Sequence, residues 1–414
     1  MKLLTAFLSL FPLTAFALTP SELAGLLKEN SLDLLIAEKK VESSLYSRKA
    51  VEREFLPTLS LSAGFEEFYP DIRKSWNQNY SVGAAVSAEP LNFQRFVRLK
   101  VEGLRVEVEK ERLRETFLEQ LYLALKELYR MKAYLLRISY KKGSLESAEK
   151  ILKVAEEKYE KGLVMITDVL KAKSEVEKVR GELSSLEAEY DQSFNRLNEL
   201  LNFSLKKGEK PEVELKEEKP RFEVNNLVKE AFSLRPEIRR AEKELGVSSL
   251  QVDYEKSRLR PSLSLSLSMR RSGTTFWPEE RSYSWSVNLN FPLFDSGQST
   301  YRALEKDRER EIALLKLKKL KNRIKREVLD VVADIESSYR NLKSDYAFLE
   351  FSKKAYDRAL NEYKLGVSDI VALMQAFDTL KRAEDRYVSS LLAYNLALLS
   401  LKKATGKLLL EVER

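Results

Sequence analysis

Leu56-Pro57-Thr58-Leu59-Ser60-Leu61 and Arg260-Pro261-Ser262-Leu263-Ser264-Leu265 are the same strand entry written twice, 204 residues apart. The same shift carries Tyr159-Glu160-Lys161-Gly162 onto Tyr363-Lys364-Leu365-Gly366. It also sets Ala37 on Ala241, Ala172 on Ala376, Tyr190 on Tyr394 and Leu197 on Leu401. One offset that keeps the front, middle and back of both halves in register marks an internal duplication. Each half reads as helix, two strands, long helix, turn, long helix. The repeats are expected over 18–222 and 223–414, joined by a charged, Pro-containing connector at about 204–222 in which Val213 and Leu215 alternate with acids as in a short strand.

Working outward from the strand entries, four segments alternate with period two: about 58–67, 79–89, 262–270 and 282–292. Ser262 to Met269 is a strict Ser/apolar alternation, and Tyr283, Trp285, Val287, Leu289 and Phe291 alternate with Ser and Asn. One face is apolar and the other small and polar. An ordinary sheet with one wet face fits this pattern. A membrane sheet fits it too: the strands have the length a tilted spanning strand needs. Tyr69, Trp76, Trp277 and Trp285, with Phe68 and Phe276, supply the aromatics of an interfacial girdle. In lipid every backbone donor and acceptor must be paired, so a sheet must close into a barrel. Membrane barrels begin at about 8 strands. A chain with four strands in lipid must therefore share its barrel with copies of itself.

Beyond the strands the chain is helical at unusual length. From about Phe96 to Lys161 there is no Pro, and only Gly103 and Gly143 interrupt; such a helix is on the order of 100 Å long. Return limbs follow at about Thr167–Leu201 and Asp369–Lys403, the second after a limb from about Gln298 to Leu365. Leu145, Ala148, Leu152, Ala155 and Tyr159 are spaced 3, 4, 3 and 4, and Leu349, Ser352, Tyr356, Ala359 and Tyr363 repeat the same spacing. Val176, Val179, Leu183, Leu186 and Tyr190 line a return limb. This spacing predicts coiled-coil seams and two helical hairpins with tips at 162–167 and 366–370. The tip run Leu163-Val164-Met165-Ile166 is apolar for a turn. Either the loop packs on itself, or it is a docking surface. The leading helix of the first half opens at a Thr19-Pro20-Ser21-Glu22 capping box and is expected to run to about Glu54; that of the second half breaks at Arg235-Pro236.

Composition narrows the chemistry. The 414 residues hold no His and no Cys, which removes the commonest general base, thiolate nucleophiles and the usual transition-metal ligands. No catalytic site, cofactor or metal is expected. The 72 Lys+Arg are interleaved with 64 Asp+Glu, for a net charge of +8, with no basic stripe of the kind that binds nucleic acid. Residues 1–17 read as a secretory leader: Lys2, an apolar run from Leu3 to Leu13, and an Ala15-Phe16-Ala17 cleavage signal.

These residues together resemble the TolC-like outer-membrane efflux protein family over essentially the whole mature chain. The resemblance is carried by Asn30-Ser-Leu-Asp-Leu34 and Arg235-Pro-Glu-Ile238, the Leu-Pro-x-Leu-Ser-Leu strand entry, Phe291-Pro-Leu-Phe-Asp-Ser-Gly-Gln298, and the tip signature from Tyr159 to Ala172. It implies a mostly helical fold of duplicated hairpins whose four strands join a shared 12-strand barrel, a homotrimer in the outer membrane, and a periplasmic tunnel closed at its tips. It implies a periplasmic adaptor and an inner-membrane pump or transporter as partners. Docking is carried onto Gly162, Leu163, Val164, Gly366, Val367 and Ser368. Gate candidates are Asp168, Tyr159, Tyr363 and Asp369. The family's latching Arg falls on Ser368 here, and its pore-narrowing acids fall on Ala372 and Gln375, so the usual latch is not spelled out. Two rival readings are a periplasmic coiled-coil adaptor or scaffold without a pore, and a secreted enzyme working with carboxylates alone.

Overall fold

The structure is a computed structural model and describes residues 17–69, 76–206, 208–218 and 223–412. The expected leader, apart from Ala17, and Pro220 of the connector lie outside the described residues. The first half runs β1 (Ala17–Leu18), α1 (Pro20–Asn30), α2 (Leu32–Arg53), β2 (Thr58–Phe68), β3 (Asn77–Asn92), α3 (Phe93–Glu160) and α4 (Ile166–Leu200). The connector carries β4 (Lys210–Pro211), and the second half runs α5 (Val224–Leu234), α6 (Pro236–Lys256), a 3-10 turn at Ser257–Leu259, β5 (Ser262–Gly273), β6 (Glu280–Asn290), α7 (Gln298–Leu365), α8 (Ile370–Thr405) and α9 (Lys407–Val412). The starts of α1 and α5, α2 and α6, β2 and β5, and α4 and α8 are each 204 residues apart. The repeat seen in sequence is thus a repeat of backbone. Two differences from expectation stand out. The first half's leading helix breaks at Ser31, the repeat partner of Arg235, although no Pro follows it there. The connector's short strand is Lys210–Pro211, paired parallel to Ala17–Leu18, and does not include Val213 or Leu215.

The chain forms two compact units. One, spanning Ala37–Arg114 and Pro236–Lys321, holds the sheet. Its order is β2-β3-β5-β6, all antiparallel, so β2 and β6 are open edges. The register puts Leu59, Leu61, Ala63 and Phe65 on the face of Val86, Ala84, Val82 and Tyr80, and Leu263, Leu265, Leu267 and Met269 on the face of Leu289, Val287, Trp285 and Tyr283. The opposite face is a field of hydroxyls: Ser266 Oγ meets Ser286 Oγ at 2.7 Å, and Ser268 meets Ser284 at 2.7 Å. The apolar face is bare, with Leu61, Trp285 and Leu289 exposed. In the same unit α6 lies close on α3 at Gly246, where a Cβ would stand 3.2 Å from Leu104. Lys243 there bridges Glu107 and Glu111 at 3.2 and 2.9 Å.

The other unit comprises the described residues up to Ile36, Glu115–Arg235 and the chain from Asn322. It is a helical assembly with a continuous apolar interior that includes Leu121, Leu128, Ile151, Val179, Phe377 and Tyr394. The connector is strapped to it by side chains that meet its backbone polar groups. Asn395 donates to the Lys216 carbonyl and accepts from its N–H at 3.0 and 2.7 Å, and Tyr394 Oη donates to the Glu218 carbonyl at 2.6 Å. Leu349, Ser352, Tyr356 and Tyr363 form the buried seam of α7, and Val176 and Val179 begin that of α4. On α3 the buried line is Ser144, Ala148, Ile151 and Ala155, so Leu145 and Leu152 are only half-buried and Tyr159 is exposed. The stripe is rotated because α3 faces α8 as well as α4: Ser144 meets Glu384 and Lys141 meets both Glu182 and Asp385. Among the described residues no helix is long and apolar enough to cross a membrane.

Candidate functional site

The two hairpin tips stop their first helix in the same way. Gly162 (φ 67°) and Gly366 (φ 78°) take the left-handed conformation that a Cβ disfavours. Gly162 N–H donates to Tyr159 O and Leu163 N–H to Lys158 O, both at 2.9 Å; Gly366 and Val367 repeat this to Tyr363 O and Glu362 O at 3.1 and 3.0 Å. Paired bonds of this kind satisfy the last free carbonyls of a helix. The residues that follow turn outward. Leu163, Met165, Leu365 and Val367 are exposed, while Val164 and Ser368 are half-buried. The tips therefore do not pack on themselves, and each presents an apolar knob.

The start of the returning helix differs. Asp369 caps α8, its Oδ1 accepting from Ala372 N–H at 2.8 Å. Met165, at the matching position of α4, supplies no cap bond. Ile370 is buried and Ile166 exposed. The structure brings Asp168 of the first hairpin to Tyr363 of the second. Burial raises the phenol's pKa, and the nearby Asp168 carboxylate raises it further. Tyr363 Oη is buried with no hydrogen-bond partner among the described residues. The other two gate candidates are elsewhere: Tyr159 is exposed, and Asp369 is occupied as a cap.

What holds Tyr363 is a residue the sequence reading passed over. Lys158 Nζ sits 4.4 Å over the Tyr363 ring and donates to the Tyr363 carbonyl, joining the two hairpins at their tips. About three helical turns away from Ile370, Lys381 does the same work between α4 and α8. Its Nζ is buried, contacts Glu175, and lies 2.9 Å from Asp378 and 5.0 Å from the Phe377 ring centroid. Burial works to lower the Lys381 pKa, but Glu175 and Asp378 outweigh it and the net shift is upward. Lys178 completes the cluster, 3.6 Å from both carboxylates. Next along α8, burial pushes Glu384 up to about 7 against the opposing pull of its Ser144 hydrogen bond and of Lys141. Lys178, Asp378 and Lys381 edge an open cleft of about 720 Å³ whose other walls include Arg137, Lys141, Glu182 and Asp385. A Lys between Leu380 and Ala383 on an otherwise apolar stripe was the available sequence signal.

In the sheet unit, Tyr69 and Trp76 pack together, 5.5 Å between ring centroids, and Phe276 touches both Tyr80 and Trp277 at 5.9 and 5.4 Å. Trp277 and Trp285 are exposed. The aromatics thus cluster at the hairpin ends of the sheet, with Trp285 on its apolar face. The Phe68 side chain lies outside the described residues. Among the described residues no group of side chains is arranged to hold a metal ion.

The model of the outer membrane efflux protein family matches residues 23–202 and again 227–407, the two matches offset by the repeat length. The pyoverdine export outer membrane protein OpmQ of Pseudomonas aeruginosa is 27% identical over 277 residues, covering 64% of this chain; the chain spans about half of that relative, 56% of its length. Among solved structures, CusC superposes with a TM-score of 0.80 at 16% identity, over 96% of this chain and 95% of that one. The Campylobacter jejuni outer membrane channel CmeC gives 0.76 at 16% identity, over 94% and 85%. At such identities these likenesses speak to the fold.

Proposed function

The chain belongs to the outer membrane efflux protein family, and from that premise we propose that it is the outer-membrane exit duct of a tripartite efflux or type I secretion system. The observation that carries this reading is a four-stranded sheet with both edges open and an apolar face bare. Such a sheet is stable in lipid only when copies close it. Three copies supply twelve strands, with the hydroxyl face lining a water-filled bore. Tyr69, Trp76, Trp277 and Trp285 sit at the membrane interface. The helical hairpins extend into the periplasm, and an adaptor docks on Gly162, Leu163, Val164, Gly366, Val367 and Ser368. An inner-membrane pump supplies the energy.

The duct does no bond chemistry; it holds a path shut until partners arrive. The Lys158–Tyr363 contact, with the Asp168 carboxylate close enough to act on the phenol, and the Lys381–Glu175–Asp378 cluster tie the second hairpin to the first. Adaptors that bind the separated hairpins better than the closed ones shift the population to the open state. Planar-bilayer recording of the purified protein tests this. Channel conductance is expected, with Asp168→Ala and Lys381→Ala raising it in the absence of adaptor. A water-soluble monomer without conductance overturns the reading, and unchanged conductance in both variants removes these contacts from the gate.

A further inference from the structure

On the apolar face of the sheet the alternation ends in charge. Met269 is paired with Tyr283, and the next residues on the same face are Arg271 and Arg281, directly opposite each other on β5 and β6. Cross-strand neighbours stand about 4.5–5.5 Å apart at Cβ, and like charges so placed repel. Val82 flanks Arg271 on β3, and no ion pair to either arginine is found among the described residues. Both sit beside the aromatics of the 274–279 turn, at the end of the sheet away from the helices. The first half carries no such pair. The pair at the matching place in the register is Glu67 and Gln78, and Glu67 accepts from Gln78 Nε2 at 3.2 Å.

We propose that Arg271 and Arg281 form a binding site for the phosphate of a lipid head group in the outer leaflet. The proposal rests on the duct reading, which turns the helices to the periplasm and this end of the sheet outward. Two guanidinium forks side by side match a phosphate's oxygens, and the phosphate removes their mutual repulsion. Lipid is favoured over free anion by what lies beneath: Leu267, Met269, Tyr283 and Trp285 form an exposed apolar track continuous with the arginines, fitted to acyl chains. Charge on the lipid face is tolerated at this level because it sits at the interface, not the midplane. Arg270, one residue away, points to the opposite, hydroxyl-lined face, where it pairs with Ser282.

The test uses the full-length protein reconstituted in nanodiscs of phosphatidylcholine with bisphosphorylated lipid A, then counts retained lipid A by native mass spectrometry. The double variant R271Q/R281Q is expected to retain about tenfold less, the scale of one lost charge-assisted contact set. R270Q retains as much as wild type, and R271K/R281K recovers part of the loss. Dephosphorylated lipid A is retained by none of them, and excess inorganic phosphate does not displace the bound lipid. Equal retention by wild type and R271Q/R281Q overturns the site, as does an equal loss in R270Q, which would report bulk charge only. Displacement by inorganic phosphate overturns the lipid assignment. If Arg281 instead pairs with Glu67 on the open β2 edge of a second copy, R281Q and E67Q lower the heat resistance of the oligomer alike and leave lipid retention unchanged, which also overturns it. Conductance of the same preparations separates the two claims: a conducting protein that fails the lipid comparison loses only the site, whereas selective lipid retention without conductance sinks the duct and keeps the site.

Discussion

At the tip of the second hairpin Tyr363 and Ile370 are 1% and 2% exposed; at the tip of the first, their repeat partners Tyr159 and Ile166 are 45% and 47% exposed. The backbones are alike, with the same glycine conformation and the same closing bonds. The surroundings are not. Buried residues run the length of α8, which packs on α3, α4 and α7 and on the connector, whereas α4 buries none between Val179 and Ser193. Duplication copied a hairpin, and divergence then gave one copy the interior and left the other a free outer face. A free face tolerates change that the buried copy does not, unless a partner covers it.

That contrast can be broken by matched substitutions. The largest effect belongs to Lys381→Ala, which removes the nearest cation from the nearly buried Glu175 carboxylate, leaves it only Lys178 at 3.6 Å, and costs about 3 kcal/mol. Its repeat partner Glu177, in an exposed pair with Arg180, costs at most about 0.5 kcal/mol when truncated. Denaturant unfolding in detergent measures both, and equal losses would erase the distinction between hairpins. Ile370→Ala should cost about 2–5 kcal/mol and Ile166→Ala under about 1 kcal/mol in the isolated protein. A restored cost at Ile166 when an adaptor is present would sharpen the comparison by showing that face covered.

Glu384 gives a pH signature to the buried side. Unfolded, it ionises in the ordinary carboxylate range; folded, burial keeps it protonated up to about 7. The folded state therefore holds the extra proton between those values, and stability falls as pH rises through them. Glu384→Gln should stabilise by up to roughly 3 kcal/mol at about pH 8 and by nothing at about pH 4. A flat difference across pH would mean the carboxyl is solvated. The smallest effect is Tyr363→Phe, within about 0.5 kcal/mol, because the hydroxyl it removes is buried without a partner among the described residues. A loss beyond 1–2 kcal/mol would reveal a bond to Tyr363 Oη made only in the assembled protein.

The strands and long helices were legible because their signals are local. Ser262 to Met269 alternates residue by residue, and a helix free of Pro announces its length. The tip glycines were legible for the same reason, since only the left-handed turn demands them. The break at Ser31 was not, for no Pro marks it and only the repeat relation to Arg235 hints at it. The seam of α3 was misaligned by one residue at Leu145, Leu152 and Tyr159, because heptad spacing reports one neighbouring helix and α3 has two. Lys158 and the Lys381 cluster were missed because a lysine in a charge-rich helix looks solvated until its surroundings are known.

Periodicity, turn chemistry and the 204-residue repeat are properties of the chain alone, and they determined the strands, the hairpins and the duplication; shared strands follow from them once the sheet is in lipid. Which copy of each repeated residue is buried, which charges meet, and where the arginine pair faces depend on what packs against each surface. Two identical local patterns place no constraint on their neighbours, so that choice belongs to the tertiary structure.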